Sequence, residues 1–187
     1  MNEAKLEESG SGLAPTSDGW FVVNVRDAMW LTSQGGEKRS TGAECNFDSP
    51  HAPFKELAFR IHVLSPGESN GLYHRENTQE DFLVLHGECL LLVEGEERPL
   101  KQWDFFHSPP NCEHIFVGAG DGPCAILMTG TRPGEENWQV VYPVSELAQR
   151  HDASAEQETT NPDDAYAGFE WSRRERPADW PQLPWSP

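Results

Sequence analysis

From Trp20 to Tyr142 the chain is cut into eight short runs of β-branched and aromatic residues by Gly, Pro and Asn, and that punctuation restricts it to mostly antiparallel sheet. The runs are Trp20–Val25, Leu57–Leu64, Asp81–Leu85, Cys89–Val93, Trp103–His107, Ile115–Val117, Ala125–Thr129 and Gln139–Tyr142. Ser65-Pro66-Gly67, Glu94-Gly95-Glu96 and residues 118–123 read as the turns between them. Leu57, Phe59, Ile61 and Val63 alternate with Ala58, Arg60, His62 and Leu64, the period of a strand with one face toward a core, and helical periodicity is absent here. Eight strands suit a barrel or a sandwich.

The ends read differently. Residues 1–19 hold too few large apolar groups to offset the entropy of ordering them, which predicts a disordered acidic arm ahead of a barrel over 20–142. Over 143–187 the pattern turns to short helices and a Trp/Pro-rich tail. Ser145–Arg150 follows a Pro in a helical register, and a second helix is expected after Asn161, with Pro162 in its first turn and Asp163 and Asp164 at its positive end. Trp171, Trp180 and Trp185 are costly to leave in water, so the tail is expected to pack on the barrel or on a neighbouring subunit.

A length of 187 residues suits one domain with a real core. The formal net charge of -17 repels nucleic acid and anionic membrane surfaces, so neither is an expected partner. No apolar run approaches the roughly 20 residues of a membrane helix, and the acidic, polar start is unlike an export signal. Cys45, Cys89, Cys112 and Cys124 form no CxxC pair, as expected of a soluble protein in a reducing cytoplasm, with Cys112 an inert loop thiol.

Chemistry concentrates between Pro66 and Gly118. His74 and Glu76 are two apart, so on an extended chain they leave by the same face, and Glu80 can join them. His114 follows Pro109-Pro110 and completes a set of two imidazoles and two carboxylates suited to a divalent transition metal. Glu76 reads about equally as a fourth ligand or as a group turned to solvent or bonded to neighbours of Arg75, and would be the general base beside the metal if it is not a ligand; a one-residue slip would put Gln79 in the place of Glu80. His86 and His107 are read as non-ligands. Tyr73, Phe82, Phe105, Phe106 and Phe116 are read as core or pocket lining. Arg60 and His62 read either as a site for an anionic ligand at the barrel mouth or, more simply, as edge-facing charge.

At these residues the chain resembles the cupin superfamily. The family's first motif runs Gly, about five residues, His-x-His, three or four residues, Glu, six residues, Gly; His74 and Glu80 match its first His and its Glu, and Asp81 to His86 separate Glu80 from Gly87. In the second motif Pro109 and His114 match, while Trp103 replaces the opening Gly, Asn111 a later Gly and Gly118 the final Asn. Glu76 stands where the second His is usual. The resemblance covers Ala58 to Thr129 and implies an antiparallel β-barrel of the double-stranded β-helix or jelly-roll kind, with Fe, Mn or Zn held by His74, Glu76, Glu80 and His114.

Three functions follow from that expectation. The first is a metal-dependent enzyme of dioxygenase or isomerase type acting on a small organic acid or oxygenated ring. The second is a non-catalytic cupin that binds or stores a small molecule, and the third an unmetallated barrel. A homodimer is expected, with Trp20–Val25 as the edge strand to be shared.

Overall fold

The computed structural model describes residues 1–33, 41–134, 136–169 and 173–186. Its strands are β1 (Leu6–Glu8), β2 (Leu13–Pro15), β3 (Trp30–Thr32), β4 (Ala43–Asn46), β5 (Leu57–Leu64), β6 (Arg75–Glu76), β7 (Glu80–His86), β8 (Glu88–Val93), β9 (Glu96–Lys101), β10 (Phe105–Ser108), β11 (His114–Ala119), β12 (Cys124–Thr131) and β13 (Val140–Val141). The named strands pair antiparallel throughout, in a six-stranded sheet ordered β10-β7-β12-β5-β4-β3, a three-stranded sheet β11-β8-β9, and the pairs β1-β2 and β13-β6. Among the described residues, helix is confined to two single turns, α1 (Glu146–Gln149) and α2 (Pro162–Ala165), and a 3₁₀ turn at Trp180–Gln182. Ser145 and Asn161 cap the two α turns through their side chains.

The two larger sheets face each other across one core. Leu64, Phe82, Val84 and Ile126 of the large sheet meet Cys89, Leu91 and Phe116 of the small one. Fully burying a side chain such as Phe116 contributes about 2–3 kcal/mol. Strand β11 is buried along most of its length because both of its faces are covered: Phe116 enters this inter-sheet core, while Ile115 and Val117 pack with Tyr73, Leu92, Leu147 and Ala148 on the other side. The second half of strand β5 is covered on both sides as well. Ile61 and Val63 lie under a layer that includes Trp30, Trp180, Trp185 and Leu183, and the Trp30 ring stands 5.5 Å from that of Trp180 and 5.6 Å from that of Trp185. Trp171 lies outside the described residues.

Two expectations change. Residues 1–19 carry the β1–β2 hairpin where a disordered arm is predicted, because the backbone of the arm is bonded to the chain that follows it: Leu13 N–H donates to the Asp27 carbonyl and Met29 N–H to that of Leu13, while Ser11 Oγ donates to the buried Trp30 carbonyl at 2.6 Å. Trp20–Val25 is not a strand. Trp20 makes one bridge, to Glu3, and the following residues curl into a turn closed by Asp27 and Ala28 N–H on the Asn24 carbonyl, so this segment supplies no edge to share.

Candidate metal centre

His74 and His114 are brought together by backbone pairing. Each donates its N–H to the other's carbonyl, at 3.2 and 2.8 Å, so they sit directly opposite on adjacent antiparallel segments and their rings leave by one face, 5.2 Å apart. The turn before His114 is shaped for this. Asn111 takes a left-handed φ of 69°, which Asn tolerates better than most residues, and donates its N–H to the Glu76 carbonyl at 2.6 Å. Where the family motif ends in Asn, Gly118 is needed for space: a Cβ there would stand 2.2 Å from the Ser65 carbonyl oxygen. Trp103 takes a φ of 75° at the position where the motif opens on Gly.

Both imidazoles are oriented from behind. His74 Nδ1 lies 2.8 Å from the Leu72 carbonyl and His114 Nδ1 3.1 Å from the Cys112 carbonyl, contacts that place the ring proton on Nδ1 and leave the Nε2 lone pairs turned into the cavity. Glu80 enters from β7 on the same inner face as Phe82, while Gln79 bonds Asp81 instead. The donor atoms of His74, Glu80 and His114 lie within 4.8 Å of one another, and His114 Nε2 is 3.5 Å from Glu80 Oε2. Two ligands of one ion, each at about 2.1 Å, stand roughly 3–4 Å apart, so the trio is close to a ligating geometry.

The electrostatics suit a divalent cation. Burial, reinforced by the Glu76 carboxylate, pushes Glu80 up to about 8, against the weaker opposing pull of Arg60. Burial, reinforced by His74, pushes His114 down to about 3, and burial also lowers His74. Two neutral imidazoles beside a carboxylate whose charge is disfavoured by burial and by Glu76 are the donor set a divalent ion requires.

Glu76 lines the same cavity but stands beside the trio. Its Oε2 accepts from Trp138 Nε1 at 2.8 Å and from Thr78 Oγ1 at 3.0 Å, while Oε1 lies 3.7 Å from His74 Nε2. Sequence reasoning missed both holders. Thr78 had a signal, lying two residues from Glu76 on an extended chain, whereas Trp138 arrives from a distant segment with none. His107 is outside, paired with Asp81 at the surface at 2.7 Å, and His86 belongs to no group of metal donors among the described residues. Phe82 packs edge-on to the His114 ring at 5.1 Å. Burial raises the Cys112 thiol, and its carbonyl rather than its sulfur serves the site. The cavity holds about 610 Å³ and is also lined by Arg60, His62, Met128 and Gly130.

A sequence model of the cupin domain matches residues 60–130, the segment that carries all three donors. No curated protein matches the sequence. Among solved structures, a predicted oxalate decarboxylase from Thermotoga maritima is 22% identical, with 59% of this chain and 98% of its own covered and a TM-score of 0.49. An RmlC-like cupin from Shewanella frigidimarina is 19% identical, covering 65% of this chain and 97% of its own, also at 0.49. A suggested sugar phosphate isomerase from Acidithiobacillus ferrooxidans is 21% identical at a TM-score of 0.45; the match covers 54% of this chain and 64% of that protein's length.

Proposed function

We propose, from the match of residues 60–130 to the cupin domain, that the chain holds one divalent transition metal, Fe, Mn or Zn, at His74, Glu80 and His114 and acts on a small organic molecule in a dioxygenase- or isomerase-like reaction. One observation carries the reading: two imidazoles pinned through Nδ1 to backbone carbonyls, with their Nε2 atoms converging on a partly buried carboxylate within 4.8 Å. A bound ion of this class supplies a Lewis acid for a substrate oxygen or, when redox-active, an electron. Glu76 is the proton acceptor, because Trp138 and Thr78 fix one of its oxygens and leave the other facing the cavity beside His74. Phe82 and Met128 form the apolar wall that limits water around the reacting atoms.

In this reading the two facing sheets form the family's barrel, with the segment after residue 142 packed against it, and the protein works as a cytoplasmic homodimer. Four free cysteines, three of them buried, support a reducing compartment. No helix among the described residues is long and apolar enough to cross a membrane.

Elemental analysis of protein purified without added metal or chelator tests the proposal. About one equivalent of a first-row divalent metal is expected, with little left in His114→Ala of unchanged circular dichroism. A metal-free wild type that takes up none on addition, or a His114→Ala protein that keeps its full equivalent, overturns it.

A further inference from the structure

Three rows of side chains cross the inner face of the large sheet, and their sizes shape the cavity. Register aligns Glu80, Gly130 and Ala58 in one row, Phe82, Met128 and Arg60 in the next, and Val84, Ile126 and His62 in the third. Val84 and Ile126 are fully buried, so the third row closes the cavity on that side. In the first row Gly130 and Ala58 add no more than a methyl group, and a trough opens beside Glu80. A Cβ on Gly130 would already stand 3.4 Å from Glu80 Cγ. Arg60 stands across this trough from the metal donors, two strands over and one residue pair along, or about 10 Å across and 7 Å along the sheet.

Arg60 is held without being used up. Its Nη1 lies 3.6 Å from Glu44 Oε2, and its guanidinium makes no hydrogen bond among the described residues. Glu44 is fixed in turn by Asn46 Nδ2 at 3.0 Å and faces His62 Nε2 at 3.4 Å, which aims the arginine while leaving its forked donors open to the cavity. Arg132, at the same cavity, is by contrast committed to Asp48 at 2.8 Å and the Phe54 carbonyl at 2.7 Å. Lys55 adds a further cation to the lining.

We propose that Arg60 binds the carboxylate of the substrate, which is therefore a small organic acid. A second oxygen, a ketone or hydroxyl, points toward His74 and His114, and the apolar body lies over Phe82 and Met128. The offset between Arg60 and the donors separates the two oxygens, favouring 3- or 4-oxo and hydroxy acids over 2-oxo acids. The placement of the second oxygen rests on the metal reading above; the carboxylate anchor does not.

Calorimetric titration of 3-benzoylpropionate and of its primary amide into the full chain, with and without Mn²⁺, separates the two. The acid is expected to bind at least roughly tenfold more tightly than the amide. Arg60→Gln should abolish that preference without changing amide affinity or metal content, and Arg60→Lys should restore part of it. Equal binding of acid and amide, a preference that survives Arg60→Gln, or no binding of the acid at about 10 mM overturns the inference. An Arg60-dependent preference in protein that takes up no metal sustains the inference and removes the metal reading. Full metal uptake with no effect of Arg60 does the reverse.

Discussion

Glu76 and Trp103 both occupy positions where the family pattern has another residue, and the structure gives each departure a different consequence. Glu76 keeps a carboxylate in the cavity but anchors one oxygen on Trp138 and Thr78, which holds it back from the His74–Glu80–His114 trio. Glu76→Gln is therefore expected to retain a full equivalent of metal by elemental analysis; metal loss would make Glu76 a fourth ligand. Trp103 occupies a left-handed position with its side chain 67% exposed, so it carries the steric cost of that conformation and recovers little by burial. Trp103→Gly should stabilise the fold by about 1 kcal/mol and raise Tm by roughly 2–4 °C, and a lower Tm would mean that the indole makes a contact worth more than the strain. The three donors were legible in the chain because His74 and Glu80 share one short segment and His114 closes a second one after Pro109. The hold on Glu76 was not, since its main partner lies 62 positions away and nothing near either residue marks the pairing.

Among the elements, the longer strands with a face in a core were legible, and the very short or solvent-facing ones were not. Strands β5, β7, β8, β11 and β12 follow apolar runs read from the sequence, with boundaries differing by a residue or two. Strand β9 was missed because it is the outer strand of the small sheet, nearly all of its side chains face solvent, and Pro99 interrupts it, as edge strands allow. Strands β3 and β4, three and four residues long, are too short to show alternation; their apolar side chains make sense only beneath the tail that covers them. That cover gives the tail a definite task. Trp180→Ala removes the edge-on partner of the buried Trp30 and should lower stability by about 2–3 kcal/mol, read as a lower urea midpoint with an unchanged slope. An unchanged midpoint would show that the large sheet is held without its tryptophan layer.

Across the whole molecule, the buried ionisable groups link folding to both protons and metal. A free glutamate titrates near 4.5 and Glu80 near 8, so between those values the metal-free native protein holds a proton that the unfolded chain has released, and its stability falls as pH rises through that window. The buried histidines act in the opposite sense. His114 titrates near 3 and His62 near 4, both lowered chiefly by burial from an unfolded value of 6.5, so the unfolded chain binds the extra protons and stability falls as pH drops below 6.5. Below 6.5 two imidazoles outweigh one carboxylate, and above it Glu80 acts against them alone, which puts the stability maximum of the metal-free protein near pH 6.5. A divalent ion holds Glu80 ionised and relieves its burial penalty, so the alkaline decline should flatten when metal is present. Thermal melts from about pH 5 to 8.5, in chelator and with one equivalent of Zn²⁺, measure both limbs. A chelated protein whose Tm stays level between about pH 6.5 and 8 would show that Glu80 is already compensated without a cation, and the electrostatic case for the metal would fail with it.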